Sequence, residues 1–224
     1  MGTPISERHR SRAPEEQRLG PLVAFDFDGT LTVSDTFLAF LRWREGAFYY
    51  HLNMAKLAPA AFSYLFHRNP GRLKAAIVRT FLRGLPMKDL EAEALEFATE
   101  SSRFLLRPDA VKVWRRHRLD GARMLIVTAS PEVIIAPFAR GLGADLVLGT
   151  VLTTDKDGVL TGGLSGPNCR GPEKVKRLRD VFGPQVRLSA AYGDSDGDNE
   201  MLAIADHNFM RLFSGDPAKV KSPV

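Results

Sequence analysis

Leu22-Val23-Ala24-Phe25 is an apolar run that stops at Asp26-Phe27-Asp28-Gly29-Thr30-Leu31-Thr32, and this junction constrains the fold more than any other stretch. A β-branched and aromatic run cut off by polar residues and Gly reads as a buried strand ending in a tight loop. In an open α/β sheet, ligands bind in the crevice outside the carboxyl ends of the strands. Asp26 and Asp28 then face that crevice with no cation beside them in sequence. Two carboxylates this close repel unless a metal or a shared proton intervenes. The same residues also suit an acidic β-turn, where Asp and Gly have ordinary roles.

Three further segments point to the first reading. Leu125-Ile126-Val127 is a second buried-strand pattern running into Thr128-Ala129-Ser130-Pro131, which puts hydroxyls at the same sheet edge. Alanines and Tyr192 lead into Gly193-Asp194-Ser195-Asp196-Gly197-Asp198, a third strand end with carboxylates at i and i+4. Lys174 opens a helix after the Gly171-Pro172 start signal, with Glu173 in its first turn. An acid pair, a hydroxyl, a lysine and a second acid pair can hold a phosphate beside a divalent cation. Carboxylate oxygens are the preferred ligands of Mg²⁺. Ser130 suits this site, and Ser before Pro131 equally suits a helix N-cap. Asp196 and Asn199 read as turn or capping residues, and Gly29 and Gly197 as points of backbone permissiveness.

The four segments, in this order from about Pro21 to Pro217, resemble the haloacid dehalogenase (HAD) superfamily, with its DxDGT, Ser/Thr, Lys and GDxxxD motifs. Within it the chain looks most like the phosphoserine-phosphatase-like subclass. Asn168-Cys169-Arg170-Gly171-Pro172-Glu173-Lys174-Val175 and the Asp157-Gly158-Val159-Leu160-Thr161-Gly162 hairpin resemble the bacterial CicA-like and phosphatidylglycerophosphatase C-like branches. The resemblance implies an α/β fold, a Rossmann-like parallel sheet core with an inserted α-helical cap. It implies an Mg²⁺-dependent phosphatase that hydrolyses a phosphomonoester through an aspartyl-phosphate. Asp26 would be the nucleophile and Asp28 the general acid–base. Asp26, the Asp28 carbonyl and Asp194 would hold Mg²⁺, with Asp198 behind them orienting Lys174 or a metal-bound water. Thr128 and Lys174 would grip the phosphoryl oxygens.

Asp35 falls where phosphoserine phosphatases carry a Glu for the substrate's amino group, and before Thr36 it also reads as a helix cap. Those enzymes carry a cap Arg upstream of a Leu-Pro pair; here that position is Val78, with Arg79 beside it. The departure takes away the residue that would grip a phosphoserine carboxylate. Alternatives are therefore phosphoserine phosphatase, a lipid phosphatase acting on phosphatidylglycerophosphate at the inner membrane face, and, from another class, a receiver-like phosphoacceptor signalling domain.

With 224 residues the chain has room for one core domain and an insertion. Residues 1–20 read as a solvated basic tail without a secretory signal, 21–35 plus 108–217 as the catalytic core, and 36–107 as the helical cap. From Pro108 helices and strands alternate, which argues for a parallel sheet. Expected strands include Met124–Val127, Val186–Tyr192 and a final Phe209–Phe213. The lone Cys169 excludes an internal disulfide and fits a cytoplasmic protein; no partner pattern marks it as a catalytic thiol. No run of about 18 apolar residues exists to span a membrane. Net charge is +5, and from Phe37 to Lys88 basic residues such as Arg42, Arg68, Arg72 and Lys74 interleave with aromatics against one acid, Glu45. That segment is either a solvated basic face or a field for anionic substrate or an anionic membrane surface. No nucleic-acid module is recognisable, so no nucleic-acid partner is expected.

Overall fold

The computed structural model describes residues 20–58, 62 and 70–219. Most of the expected tail, together with Tyr64, Phe66 and Arg68 of the basic segment, lies outside them. Numbered in chain order, the strands are β1 (Leu22–Phe25), β2 (Arg123–Pro131), β3 (Leu146–Thr150), β4 (Leu152–Thr154), β5 (Leu160–Leu164), β6 (Leu188–Gly193) and β7 (Ala205–Met210). Five form one sheet in the order β3-β2-β1-β6-β7, all neighbours parallel, and β4 and β5 form an antiparallel hairpin. The expected α/β class with a parallel sheet is what the chain adopts. β1 is central because it is apolar on both faces, as a doubly covered strand must be.

Alternation along β1 builds two unlike faces. Val23 and Phe25 join Met124, Ile126, Ala190 and Tyr192 in a large cluster, while Ala24 joins Leu125, Val127, Ala191 and Leu178 on the other side. On the large side Phe25 stacks on Tyr192 at 4.2 Å and meets Trp114 edge-on at 5.1 Å. On the other side Ala24 and Ala191 are small, so the helix α6 (Pro172–Phe182), which carries Leu178, can approach the sheet closely.

Helices α1 (Thr36–Lys56), α2 (Pro70–Leu82) and α3 (Met87–Leu105) lie between β1 and α4 (Pro108–Leu119), and α1 breaks at Gly46, where φ is 73°. They share the large cluster with the sheet: Phe40 meets Phe97 at 5.5 Å, Phe97 meets Phe138 at 5.8 Å, and Phe138 meets Phe27 at 5.6 Å. Phe138 belongs to α5 (Glu132–Leu142). The β4–β5 hairpin is tied to the turn between α2 and α3, where Gly84 N donates to Leu160 O and Leu160 N to Leu85 O. Arg107 pins the loop after β1, donating from Nε to Gly29 O and Thr32 O and from Nη1 to Gly215 O. No helix among the described residues is long and apolar enough to cross a membrane.

The last strand departs from expectation. It runs Ala205–Met210, ahead of the expected Phe209–Phe213, because β7 is an edge strand whose residues are mostly exposed and polar. Phe209 and Phe213 instead stack against Tyr192, and Phe213 lies beyond the strand. A period-2 apolar signal cannot find a strand that has almost no buried face. β2 runs on to Pro131, with a register shift after Val127 that turns the hydroxyl segment toward the sheet edge.

His117 tests the aromatic side of this core. Its Nε2 lies 2.8 Å from the Tyr192 hydroxyl, and burial pulls its pKa below the ordinary 6.5, against Asp120. The folded state therefore binds this proton less readily than the unfolded chain. The stability tied to neutral His117 is complete above about 6.5 and is lost as pH falls below it. Melting temperature followed from pH 7.5 to 5.5 should fall more steeply in the wild type than in His117→Gln, and parallel curves would show the imidazole to be uncoupled from folding.

Candidate active site

β1 delivers Asp26 to the carboxyl edge of the sheet. Asp26 N donates to Tyr192 O at 2.8 Å, which continues the β1–β6 ladder by one residue and fixes where the side chain begins. Beside β1, β6 ends at Gly193 and hands over to Asp194, and β2 carries Thr128. This is the point where the strand order reverses, the usual position of a binding crevice in such sheets. A cavity of about 350 Å³ opens there, lined by Asp26, Asp28, Ser34, Asp35, Lys74, Ala129, Asn168, Arg170, Lys174, Asp194, Ser195 and Asp198 among others.

Lys174 is the hinge of the site. Gly171 and Pro172 start α6 as expected, and the first turn swings Lys174 under the strand ends. Its Nζ is 2.6 Å from Asp26 Oδ1, 2.6 Å from Asp198 Oδ1 and 2.5 Å from Val127 O. Burial works against the ammonium, yet the two carboxylates outweigh it and hold Lys174 above the ordinary lysine value. Asp198 is saturated: its Oδ2 accepts from Asp194 N, Ser195 N and Ser195 Oγ at 3.0 to 3.2 Å. Burial works against the charged form of Asp198 too, but Lys174 and these N–H groups hold it below the usual range.

Asp28 is oriented by two neutral donors. Thr36 N donates to its Oδ1 at 2.6 Å and Ser130 Oγ to its Oδ2 at 2.5 Å. This settles Ser130: the N-cap of α5 is Pro131, and the Ser130 hydroxyl holds an acid of the site. Thr128 is fully buried, its Oγ1 accepting from Ser130 N at 3.0 Å, and the cavity wall at this point is Ala129. Asp35 caps α1 through Leu38 N at 2.8 Å, as expected of a cap, and also lines the cavity.

Asp26, Asp194 and Asp198 each offer an oxygen within 4.8 Å of the others. Burial, opposed by Lys174 and reinforced by Asp198 and Asp28, pushes the Asp26 carboxyl up to about 7. Burial and then Asp198 push Asp194 up as well. Among the described residues no donor reaches the Asp194 carboxylate, although Arg211 Nε holds its backbone carbonyl at 2.7 Å. An unserved carboxylate beside a second acid, with one ammonium already committed, is a donor set that fits a hard divalent cation.

Sequence reasoning missed Lys74 and Arg170. Lys74 was grouped with the basic face, but it turns into the cavity and donates to Ala129 O at 2.9 Å. Its signal was present: on α2 it shares a stripe with Ile77, Val78 and Phe81, all buried. Val78, the position compared with a cap Arg, is fully buried, and Arg79 points to solvent. Gly197 also needs correcting. Its φ is not positive, and what it supplies is space, since a Cβ there would sit 2.6 Å from Arg170 Nη1.

Comparison with known proteins agrees with this geometry. The family model for haloacid dehalogenase-like hydrolases matches residues 23–203. Protein CicA of Caulobacter vibrioides is 59% identical over 197 residues, 88% of each chain. A phosphoserine phosphatase of Mycobacterium tuberculosis is 32% identical over 95% of this chain, which spans half of that protein's length. Among solved structures, one of a Bordetella pertussis protein superposes with TM-score 0.70 at 24% identity, covering 82% of this chain and 86% of the other. A phosphoserine phosphatase with a phospho-aspartyl intermediate analogue superposes with TM-score 0.56 at 21% identity over 84% and 85%.

Gly29 offers a test of the cation site. Its φ is 78°, and a Cβ would run into the Asp194 carboxylate. Gly29→Ala should cost about 1–2 kcal/mol from the left-handed backbone alone and weaken Mg²⁺ binding further by displacing Asp194. Calorimetric titration with Mg²⁺ and thermal melts check both; undiminished Mg²⁺ affinity would remove Asp194 from the cation site.

Proposed function

The chain belongs to the haloacid dehalogenase-like hydrolases, and on that premise we propose that its cavity hydrolyses phosphomonoesters through an aspartyl-phosphate on Asp26. The observation that carries this reading is the pairing of two unlike acids at one strand end. Asp26 is buried and held by a cation, whereas Asp28 is held open over the cavity by an amide and a hydroxyl. Two carboxyl groups in different surroundings can divide nucleophile and proton-transfer roles between them.

Asp26 attacks phosphorus, and the bond from phosphorus to the alcohol oxygen breaks as Asp28 gives that oxygen a proton. A water then attacks the phosphoryl group, Asp28 takes its proton, and the Asp26 carboxylate is released with inorganic phosphate. Lys174, bonded to Asp26 Oδ1, keeps the nucleophile oriented and offsets charge on the phosphoryl oxygens. Thr128, the hydroxyl expected at those oxygens, is buried behind Ala129 and accepts from Ser130 N, so its part is to position Ser130. Asp26, Asp194 and the Asp28 carbonyl would hold Mg²⁺, which would supply positive charge near the phosphoryl oxygens. Asp198 stands behind this shell, since its acceptor positions are spent on Lys174 and the Asp194–Ser195 backbone. We assign residues 36–107 as a cap over the site, reaching it through Lys74. Cys169 takes no part: burial pushes its thiol up to about 11. A lone reduced thiol suits the cytoplasm, where we place the protein. Family membership leaves the receiver reading without support.

A lipid phosphate is a second candidate substrate. Phe48, Tyr49 and Leu52, just past the Gly46 break in α1, are 74%, 60% and 48% exposed. Aromatic and aliphatic side chains beside basic ones are what peripheral contact with an anionic bilayer requires. Sedimentation with anionic vesicles should capture the wild type and lose the Phe48→Ser/Tyr49→Ser variant; capture of neither removes the membrane reading.

The covalent mechanism is tested by two variants. Phosphate release from a small aryl ester with Mg²⁺ should vanish in Asp26→Asn, and retained activity in a clean preparation would sink the mechanism. Asp28→Asn should slow turnover by about 10²–10⁴-fold while still accepting label from an ester with a good leaving group. That label should have the hydroxylamine sensitivity of an acyl phosphate.

A further inference from the structure

Lys74 is a cation on the wrong face of its helix. Ile77, Val78 and Phe81 continue the stripe it starts, and all three are buried in the core. A lysine placed there gives up most of its hydration, and among the described residues Nζ recovers only Ala129 O at 2.9 Å and the face of the Phe37 ring, 5.5 Å from its centroid. Burial holds its pKa below the ordinary lysine value, and nearby Arg170 pushes the same way. Opposing them, Asp35 acts most strongly, then Asp28, then Asp26. Lys74 reaches the cavity from α2, and the same inserted segment supplies the Thr36 N that holds Asp28 Oδ1, so the ammonium stands on the outer side of Asp28, away from Lys174 and the strand ends.

Arg170 lines the same cavity. It lies over Gly197, which has no side chain to displace it, and among the described residues its one side-chain hydrogen bond is a long 3.5 Å contact from Nη1 to Ser195 Oγ. Among the described residues neither Lys74 nor Arg170 makes an ion pair with a carboxylate. Asp35, the nearest acid, has Oδ1 committed to Leu38 N. Two cations held close together and partly dehydrated repel each other, and an anion between them relieves that repulsion.

We propose that Lys74 and Arg170 form an anion subsite on the leaving-group side of Asp28, so that the cavity selects phosphomonoesters whose alcohol portion carries a second anionic group, a carboxylate or a phosphodiester. The inference rests on the phosphatase reading and adds the substrate class to it. The grip comes from α2 one helical turn before Val78, and from the segment leading into α6, so neither cation stands at the cap Arg position of phosphoserine phosphatases.

The test is calorimetric binding of inert phosphonates to the Mg²⁺-loaded full chain. Four propyl phosphonates are compared, with tails ending in methyl, carboxylate, methyl phosphodiester and ammonium. The wild type should bind one or both anionic tails about tenfold more tightly than the methyl tail, the size of one charge-assisted hydrogen bond. Whichever anionic tail wins identifies the source. Lys74→Met and Arg170→Met should each shrink that ratio, and Lys74→Arg should keep most of it, which a merely structural lysine would not do. Circular dichroism confirms folding, and the two positions back each other should one variant fail to fold. Equal affinity for all tails, preference for the ammonium tail, or a ratio unmoved in both Met variants would overturn the subsite. If no phosphonate binds although Mg²⁺ does, the phosphatase reading falls, and the subsite with it.

Discussion

The site depends on one buried ammonium. Lys174 is almost fully enclosed, and it ties together Asp26 from β1, Val127 from β2 and Asp198 from the loop after β6. A charge in that position is tolerated only because it is paired and hydrogen-bonded, and removing one partner of such a set typically costs about 3–5 kcal/mol. The interaction is therefore a constraint on the fold as well as a feature of the chemistry. α6 has to pack where its first turn can reach three strand ends. Small residues on that face of the sheet, Ala24 and Ala191, allow it to do so.

What could be read from the sequence follows from this constraint. Asp26, Asp28, Lys174, Asp194 and Asp198 sit next to strand or helix boundaries that local chemistry marks clearly, with apolar runs, Gly, and Gly-Pro. The parallel sheet was legible for the same reason, since its three inner strands, β2, β1 and β6, are rich in buried apolar residues. β7 was misplaced because an exposed edge strand carries little apolar pattern. Ser130 was ambiguous because its local cue, a following Pro, says nothing about a carboxylate 102 residues away. Tertiary pairing of that kind is not encoded in the neighbouring residues.

Lys74 and Arg170 show a different limit. Each was visible as a basic residue, but the sign of a side chain does not tell which way it points. In a segment with nine basic residues and one acid, a field was the natural reading of the charge. The apolar stripe of α2 carries the missing information: a lysine at i with buried residues at i+3, i+4 and i+7 has to enter the interior. Glycines carry the complementary message. Gly29 is required by a left-handed turn against Asp194, while Gly197 is required by the volume of Arg170.

The charge balance of the cavity explains why its parts belong together. Five carboxylates, Asp26, Asp28, Asp35, Asp194 and Asp198, face three cations, Lys74, Arg170 and Lys174. With every group ionised the cavity is negative, and a phosphate dianion would be repelled from it. Proton uptake is one relief, which the raised pKa values of Asp26 and Asp194 express. A divalent cation between those two acids would be the other, and on the proposed mechanism it would turn the inner end attractive to phosphate while leaving Asp26 ionised. The outer end then needs no metal, because Lys74 and Arg170 already exceed the free charge of Asp35 there. With an ion bound, the cavity would have two positive ends of different origin, one supplied by that ion and one built into the chain, with Asp28 between them where the proposed ester bond would break.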